Sequence, residues 1–326
     1  MNPRLGITFG GEVPLPDLVQ YSRQAEAQGF DSLWMAEHYC LRDAFTSMAA
    51  AAAATHTIKI GSGVINPYTR STPLIAMSIA AIDELAEGRT FLGWGSTNRF
   101  WTNLGITDDQ PVHTLRESIQ LTRRLLAGET VTHQGRRETL QQIHLGFPPH
   151  RKTIPMYVGA VQKRMLQLAG EIADGALLSN LATTDYVTYA LQQIRAGAER
   201  RGRSLSQLDL ACYAMTWLRD DAAKVVPALK RQIATLLAVP GREILFGAEG
   251  VTNPAVLHVI DAAKKGRIDE AAASISDDLL HAVTISGTAA ECTHRLHEYF
   301  QAGVKVVVIR PVGTAPDRLI DALASE

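Results

Sequence analysis

The chain has 326 residues, 46% of them hydrophobic and 20% charged, with a formal net charge of -1. That length suits two ordinary domains or one large α/β barrel, and it buries a core that needs no staples. The balanced charge excludes nucleic-acid binding through a broad basic field, and no basic amphipathic stretch suggests a membrane surface.

Short apolar runs alternate with stretches of helical period. Residues 5–9 read as a strand and 17–28 as a helix stopped by Gly29. A strand at 32–37 (SLWMAE) precedes a helix at 43–54, and a strand at 58–65 (IKIGSGVI) precedes a helix at 73–87. Pro73 suits a first turn and Gly88 a helix end. Next come a strand at 89–95 and a helix at 111–127. The polar stretch 128–153 reads as an excursion, a hairpin or a loop. Strand 155–160, helix 163–173, strand 175–180 and helix 185–201 follow, then strands at 208–218 and 304–310. The early strands start about 26–31 residues apart, near the βα repeat. Eight strands alternating with helices predict a (β/α)8 TIM barrel, α/β in class, formed by residues 1–326 as a single domain. The interval between the last two strands is too long for one crossover. It predicts a helical insertion over 236–285, before a helix at 288–301.

A barrel places its chemistry at the C-terminal strand ends. These ends carry Glu37-His38-Tyr39, Gly63-Val64-Ile65-Asn66, Gly95-Ser96-Thr97-Asn98, Gly159-Ala160-Val161-Gln162, Ser179-Asn180 and Arg310. His38 can exchange protons near neutral pH, or it can simply satisfy backbone groups at a strand end. Glycines flanking Ser62 and Trp94 mark either close approach of a ligand or crowding inside the barrel. The segment 159–162 leads into a helix whose N-terminus can hold a phosphate, or it is an ordinary turn. No GxGxxG or Walker loop follows a strand. His294 and His297 have a metal-compatible spacing without a third ligand, and a solvated helix face is the simpler reading. The arginines at 195, 200, 201 and 203 read as an exposed helix end.

Cys40, Cys212 and Cys292 are scattered and odd in number, which suits a reduced cytoplasmic protein. The opening MNPRLGITFGGE lacks the apolar core of a secretory signal, and the alanine-rich run 48–54 is too short to span a bilayer.

Three segments resemble a known superfamily. GFDSLWMAEHY (29–39) looks like the second-strand motif of the bacterial-luciferase-like flavin and deazaflavin oxidoreductases. IKIGSGVINPYTRSTPLIAMSIAAIDELAEGRTFLGWG (58–95) is similar to their third and fourth βα units. PMYVGAVQKRMLQLAGEIADGALLSN (155–180) resembles methylenetetrahydromethanopterin reductases, which use the deazaflavin coenzyme F420.

The resemblance implies coenzyme F420 or FMN at the barrel mouth, and a cis peptide at Gly63-Val64 behind its ring. It implies cofactor binding by Glu37, Gly63, Val64 and Asn66, with Gly159, Ala160, Val161 and Gln162 near the phosphate. His38, with Glu37, is the implied catalytic pair, His38 handling the proton. The activity implied is hydride transfer to or from a small-molecule substrate, or FMN-dependent oxygenation as the alternative. The reductases carry glutamate in strand 1 and often an acid at the end of strand 4, where this chain has Thr8 and Asn98. Those departures motivate a third reading, a barrel that holds a flavin without catalysing, against which the Glu37-His38 pair argues. A metal-dependent hydrolase lacks its HxH or carboxylate set. The family also implies a homodimer, formed here through the helices at 44–54 and 73–87.

Overall fold

The computed structural model describes residues 4–96, 104–246 and 253–324. Eight parallel strands close a barrel: β1 (Arg4–Gly10), β2 (Ser32–Ala36), β3 (Lys59–Ser62), β4 (Thr90–Trp94), β7 (Met156–Ala160), β8 (Gly175–Leu178), β9 (Asp209–Leu218) and β11 (Val306–Pro311). The registers run Gly6↔Ser32, Ser32↔Lys59, Ile60↔Thr90, Leu92↔Met156, Tyr157↔Gly175 and Gly175↔Asp209. Ala211↔Val306 and Arg4↔Val306 complete the circuit.

Local sequence explains each unit. Helix α2 (Ala44–Ala54) is an alanine run started by Asp43, whose carboxylate accepts the Thr46 N–H at 2.7 Å. Helix α3 (Thr72–Leu85) is capped by Ser71 and followed by Gly88, whose φ of +82° is a conformation glycine adopts freely. The barrel interior is filled by Trp34, Phe91, Leu177, Ala211, Val306 and Val308, with Tyr157 and Tyr213 against them. Trp34 stacks at a tilt on Phe91 with ring centroids 4.4 Å apart. At the N-terminal end Arg4 pairs with Asp209, which also accepts the Tyr157 hydroxyl at 2.8 Å.

The excursion is an antiparallel hairpin, β5 (Val131–Gln134) with β6 (Thr139–Ile143). Its Val131 and Leu140 pack on Ala76, Leu121 and Leu125, and Glu138 accepts the Thr72 N–H at 2.6 Å. The long interval contains more than the predicted insertion. A helix at Ala222–Leu237 precedes it, and it ends in β10 (Thr284–Gly287) rather than in helix. Strand β9 pairs with β8 through Cys212 and then projects beyond it, leaving an edge from Met215 to Leu218 that β10 takes in parallel. The four residues of β10 are too few to announce a strand by pattern. No helix among the described residues is long and apolar enough to cross a membrane.

Candidate active site

Two adjoining cavities open at the C-terminal strand ends. The larger, of about 870 Å³, runs from Gly63 and Val64 along Gly159–Gln162 to Arg164 and Arg242. The smaller, of about 230 Å³, is walled by Thr8, Glu12, His38, Asn180, Tyr213 and Arg310. Among the described residues, Gly63 and Tyr213 line both.

The seam between the cavities is built where β3 leaves its ladder. The Gly63 N–H donates to Met35 O at 2.8 Å, the Gly63–Val64 peptide is cis, and parallel pairing resumes with Ile65 N–H on Gly93 O at 2.8 Å. Across the step the Ser62 hydroxyl stitches to Gly93 O and the Gly93 N–H, both at 3.0 Å. The Val64 side chain needs the glycines opposite it. A Cβ on Gly95 would lie 2.3 Å from its Cγ2, and one on Gly159 would lie 3.1 Å from its Cγ1. A Cβ on Gly61 would strike the Phe91 ring at 2.1 Å, and one on Gly93 would strike Ser62 O at 2.2 Å. The glycines around Ser62 and Trp94 therefore make room for the barrel's own atoms.

Gly159, Ala160, Val161 and Gln162 all line the larger cavity. Tyr186 supports this turn by donating to Val161 O at 2.8 Å, and Gln162 bonds Gly241 O in the insertion. Helix α5 (Lys163–Ile172) starts here without a side-chain cap. Arg116 and Arg164 also line the cavity, Arg116 being paired to Glu171. Neither Arg164 nor Arg242 pairs with an acidic side chain among the described residues, and Arg242 is the more buried of the two. Burial alone acts on its guanidinium and pushes its pKa down.

His38 lies in the wall of the smaller cavity. Glu37 and Asn66 line neither cavity. Glu37 holds Arg70 through Nε at 2.8 Å and Nη2 at 3.3 Å, and it accepts the Ala44 N–H at 3.3 Å. It thus ties the end of β2 to the start of α2. Asn66 Oδ1 accepts the N–H groups of Tyr68 at 2.9 Å and Thr69 at 3.0 Å, and so shapes the turn after the seam. Thr97 and Asn98 lie outside the described residues. His294 reaches Glu298 at 3.6 Å on an exposed face, and Arg200 and Arg203 bond Glu171 and Gly170 O.

Three residues that the sequence did not single out belong to this site. Tyr213 sits in mid-strand, where alternation along β9 could have shown it pointing inward. Arg242 lies in the insertion and Arg164 in a first helical turn, where sequence carries no signal of what they face.

The larger cavity suits a flat ring with an anionic tail: Val64, Leu177 and Met165 supply apolar walls, and Arg164, Arg242 and an uncapped helix start also line it. The fold and site thus define a TIM-barrel protein with a ligand cavity at the C-terminal strand ends. Comparison with known proteins narrows this. The family described as "Luciferase-like monooxygenase" matches residues 3–305. The 5,10-methylenetetrahydromethanopterin reductase of Methanolobus tindarius is 33% identical over 324 residues, 98% of each chain. The enzyme of the same name from Archaeoglobus fulgidus is 32% identical, over 99% of this chain and 98% of the relative. A solved structure, the coenzyme F420 dependent tetrahydromethanopterin reductase from Methanopyrus kandleri, superposes with a TM-score of 0.87 at 24% identity, over 100% of this chain and 98% of that one. The chain belongs to the luciferase-like family and is an oxidoreductase of its flavin- and deazaflavin-dependent kind.

Proposed function

We propose that this enzyme transfers hydride between coenzyme F420, held in the larger cavity, and a small organic substrate in the smaller one. The observation that carries the reading is Arg242, a partly buried cation without an acidic partner among the described residues, in the lining of a cavity with apolar walls. An uncompensated cation in such a place favours an anion, as a phosphate-bearing cofactor tail provides. The relatives' reductase activity and the F420 named for the solved structure support the choice of deazaflavin.

Bound coenzyme F420 supplies a two-electron hydride donor or acceptor. The chain's own residues do the rest. Val64 and Gly63 form the surface against which the ring lies, with the glycines at 95 and 159 leaving room for Val64. The turn 159–162, the α5 start, Arg164 and Arg242 take the tail. His38, in the smaller cavity beside the seam, exchanges the substrate's proton. A cavity of about 230 Å³ exceeds the roughly 150 Å³ that suffices for benzene, so it admits a compound of one ring or a short chain. The relatives' pterin substrate is not carried over. Thr8, where they have glutamate, is buried and donates to Trp34 O at 2.8 Å, so that position offers no carboxylate.

Titration with coenzyme F420 and, separately, FMN, followed by absorbance and fluorescence, tests the cofactor. Tight binding of FMN alone would replace the deazaflavin reading by the oxygenase one. With F420 bound and a panel of small alcohols, ketones and enones, His38→Ala is expected to keep cofactor affinity and lower turnover by about 10²–10⁴-fold. Loss of cofactor with normal saturated rate would make His38 a binding residue instead.

Two further readings complete the proposal. Leu74, Met77 and Leu85 leave α3 with exposed apolar positions, which supports a homodimer through α2 and α3, and light scattering at micromolar concentration tests it. Free Cys40, Cys212 and Cys292 support a reducing, cytoplasmic setting.

A further inference from the structure

We infer that Tyr213 is a positioning residue, its hydroxyl fixing the partition between the cofactor cavity and the His38 chamber by holding the Gly63 carbonyl. The inference rests on the proposed cofactor reading and concerns how the same site is aligned.

Tyr213 carries a hydroxyl against an apolar cluster. Tyr213 packs among Trp34, Phe91, Leu177, Val306 and Val308, where a phenylalanine would fill almost the same space. Its oxygen donates to Gly63 O at 2.6 Å. Thr8 Oγ1, which donates to Trp34 O at 2.8 Å, stands 3.4 Å from the same oxygen. Burial pushes the Tyr213 pKa up, so the group remains a donor across the physiological range.

Gly63 needs that donor. β3 ends at Ser62, and pairing with β4 resumes only at Ile65. Between them the Gly63 N–H is tied to β2 through Met35 O, while its carbonyl faces β9 across the barrel. The seam is therefore anchored from two strands on different sides. A carbonyl turned into an apolar interior without its partner would pay the desolvation penalty of a lost bond. The fit is also tight: a Cβ on Gly63 would lie 2.0 Å from Tyr213 Oη and 3.1 Å from the Trp34 ring. Because Gly63 and Tyr213 line both cavities, any shift of this pair moves the cofactor's resting surface relative to the substrate chamber. Small misplacements of that kind cost rate more than affinity.

The test uses the full chain with coenzyme F420 as the probe. Tyr213→Phe is expected to lower the cofactor-free melting temperature by about 1–5 °C, because the Gly63 carbonyl loses its donor, and to leave the F420 Kd within about threefold of wild type. The bound cofactor should show a shifted absorbance band, and acrylamide should quench its fluorescence about twofold more readily, because the partition is no longer fixed. Gly63→Ala is expected to weaken F420 binding by about 30-fold or more through overlap with the hydroxyl, and adding Tyr213→Phe to recover about tenfold of that loss. If Gly63→Ala does not fold, the spectrum and quenching of Tyr213→Phe alone decide. A wild-type spectrum and quenching in Tyr213→Phe, or a folded double variant no better than Gly63→Ala, overturns the positioning role while leaving the cofactor reading intact. Failure of the wild-type chain to bind F420 overturns both.

Discussion

Replacing Arg242 by methionine should weaken the cofactor complex and leave the unliganded fold as stable or more so. The two effects share one cause. In the unliganded chain the guanidinium is partly removed from water, no acidic side chain among the described residues pairs with it, and burial is the only influence on its pKa. The guanidinium is already partly desolvated before any ligand arrives, so an incoming anion meets a prepared partner. At about 4 Å and an effective dielectric near 20, the attraction to a phosphate is about 4 kcal/mol, of which about 1.5–3 kcal/mol survives as the net value of a charge-assisted hydrogen bond. Arg242→Met should therefore raise the F420 Kd by about 10–150-fold. Removing a poorly compensated cation should hold or raise the melting temperature, by about 1–2 °C if about 1 kcal/mol is relieved in a chain this long. Fluorescence titration at low and high salt reads the first effect, with the wild-type complex the more salt-sensitive of the two. Scanning calorimetry of the cofactor-free chain reads the second. Arg242→Lys should fall between, since it keeps the charge but loses the planar fork. Unchanged affinity in Arg242→Met, or a melting point several degrees lower, would refute the reasoning by showing that the side chain serves the fold.

Asp83 is completely buried and takes Arg151 at 2.6 and 3.0 Å and the Thr90 hydroxyl at 2.6 Å. Asp83→Ala, which breaks a buried pair, should cost about 3–5 kcal/mol and lower the calorimetric melting temperature by about 4–7 °C, with cofactor affinity retained. Glu26 Oε1 accepts the N–H groups of His56, Thr57 and Ile58 at 2.8, 2.6 and 3.0 Å; burial works to raise its pKa, and these bonds outweigh burial and bring it to about 2. A carboxylate held below its unfolded value stabilises the fold above pH about 4.5 and loses that contribution as pH falls toward 2, so the stability gap between wild type and Glu26→Gln should be about 1–2 kcal/mol at pH 7, after allowing for solvent screening, and should close across that window in urea titrations.

The barrel was legible because its βα units repeat one physical pattern, a short apolar run, a turn and a helix, with glycine marking the helix stop at Gly29 and Gly88. Pattern failed where tertiary context overrides it. The helix Ala222–Leu237 carries Pro227 in its interior, a residue that argues against helix in sequence, and β10 exists only because β9 outruns β8 and exposes an edge. The site divides in the same way. The strand-end rule brought His38, Gly63, Val64 and the turn 159–162 to the cavities. It could not place Glu37, whose neighbour on an alternating strand faces the other way and whose carboxylate is taken by Arg70. Nor could it place Asn66, whose carbonyl oxygen serves the turn it begins. Arg242 and Tyr213 show why the remainder stays hidden. A cation matters here for the acid it lacks, and a hydroxyl for a carbonyl 150 residues away in the chain. Neither condition is a property of a residue or its neighbours in sequence. Both arise only when the closed sheet brings β3 opposite β9 and the insertion over the end of β7, so the parts of the site that set alignment and affinity are those that local pattern reveals least.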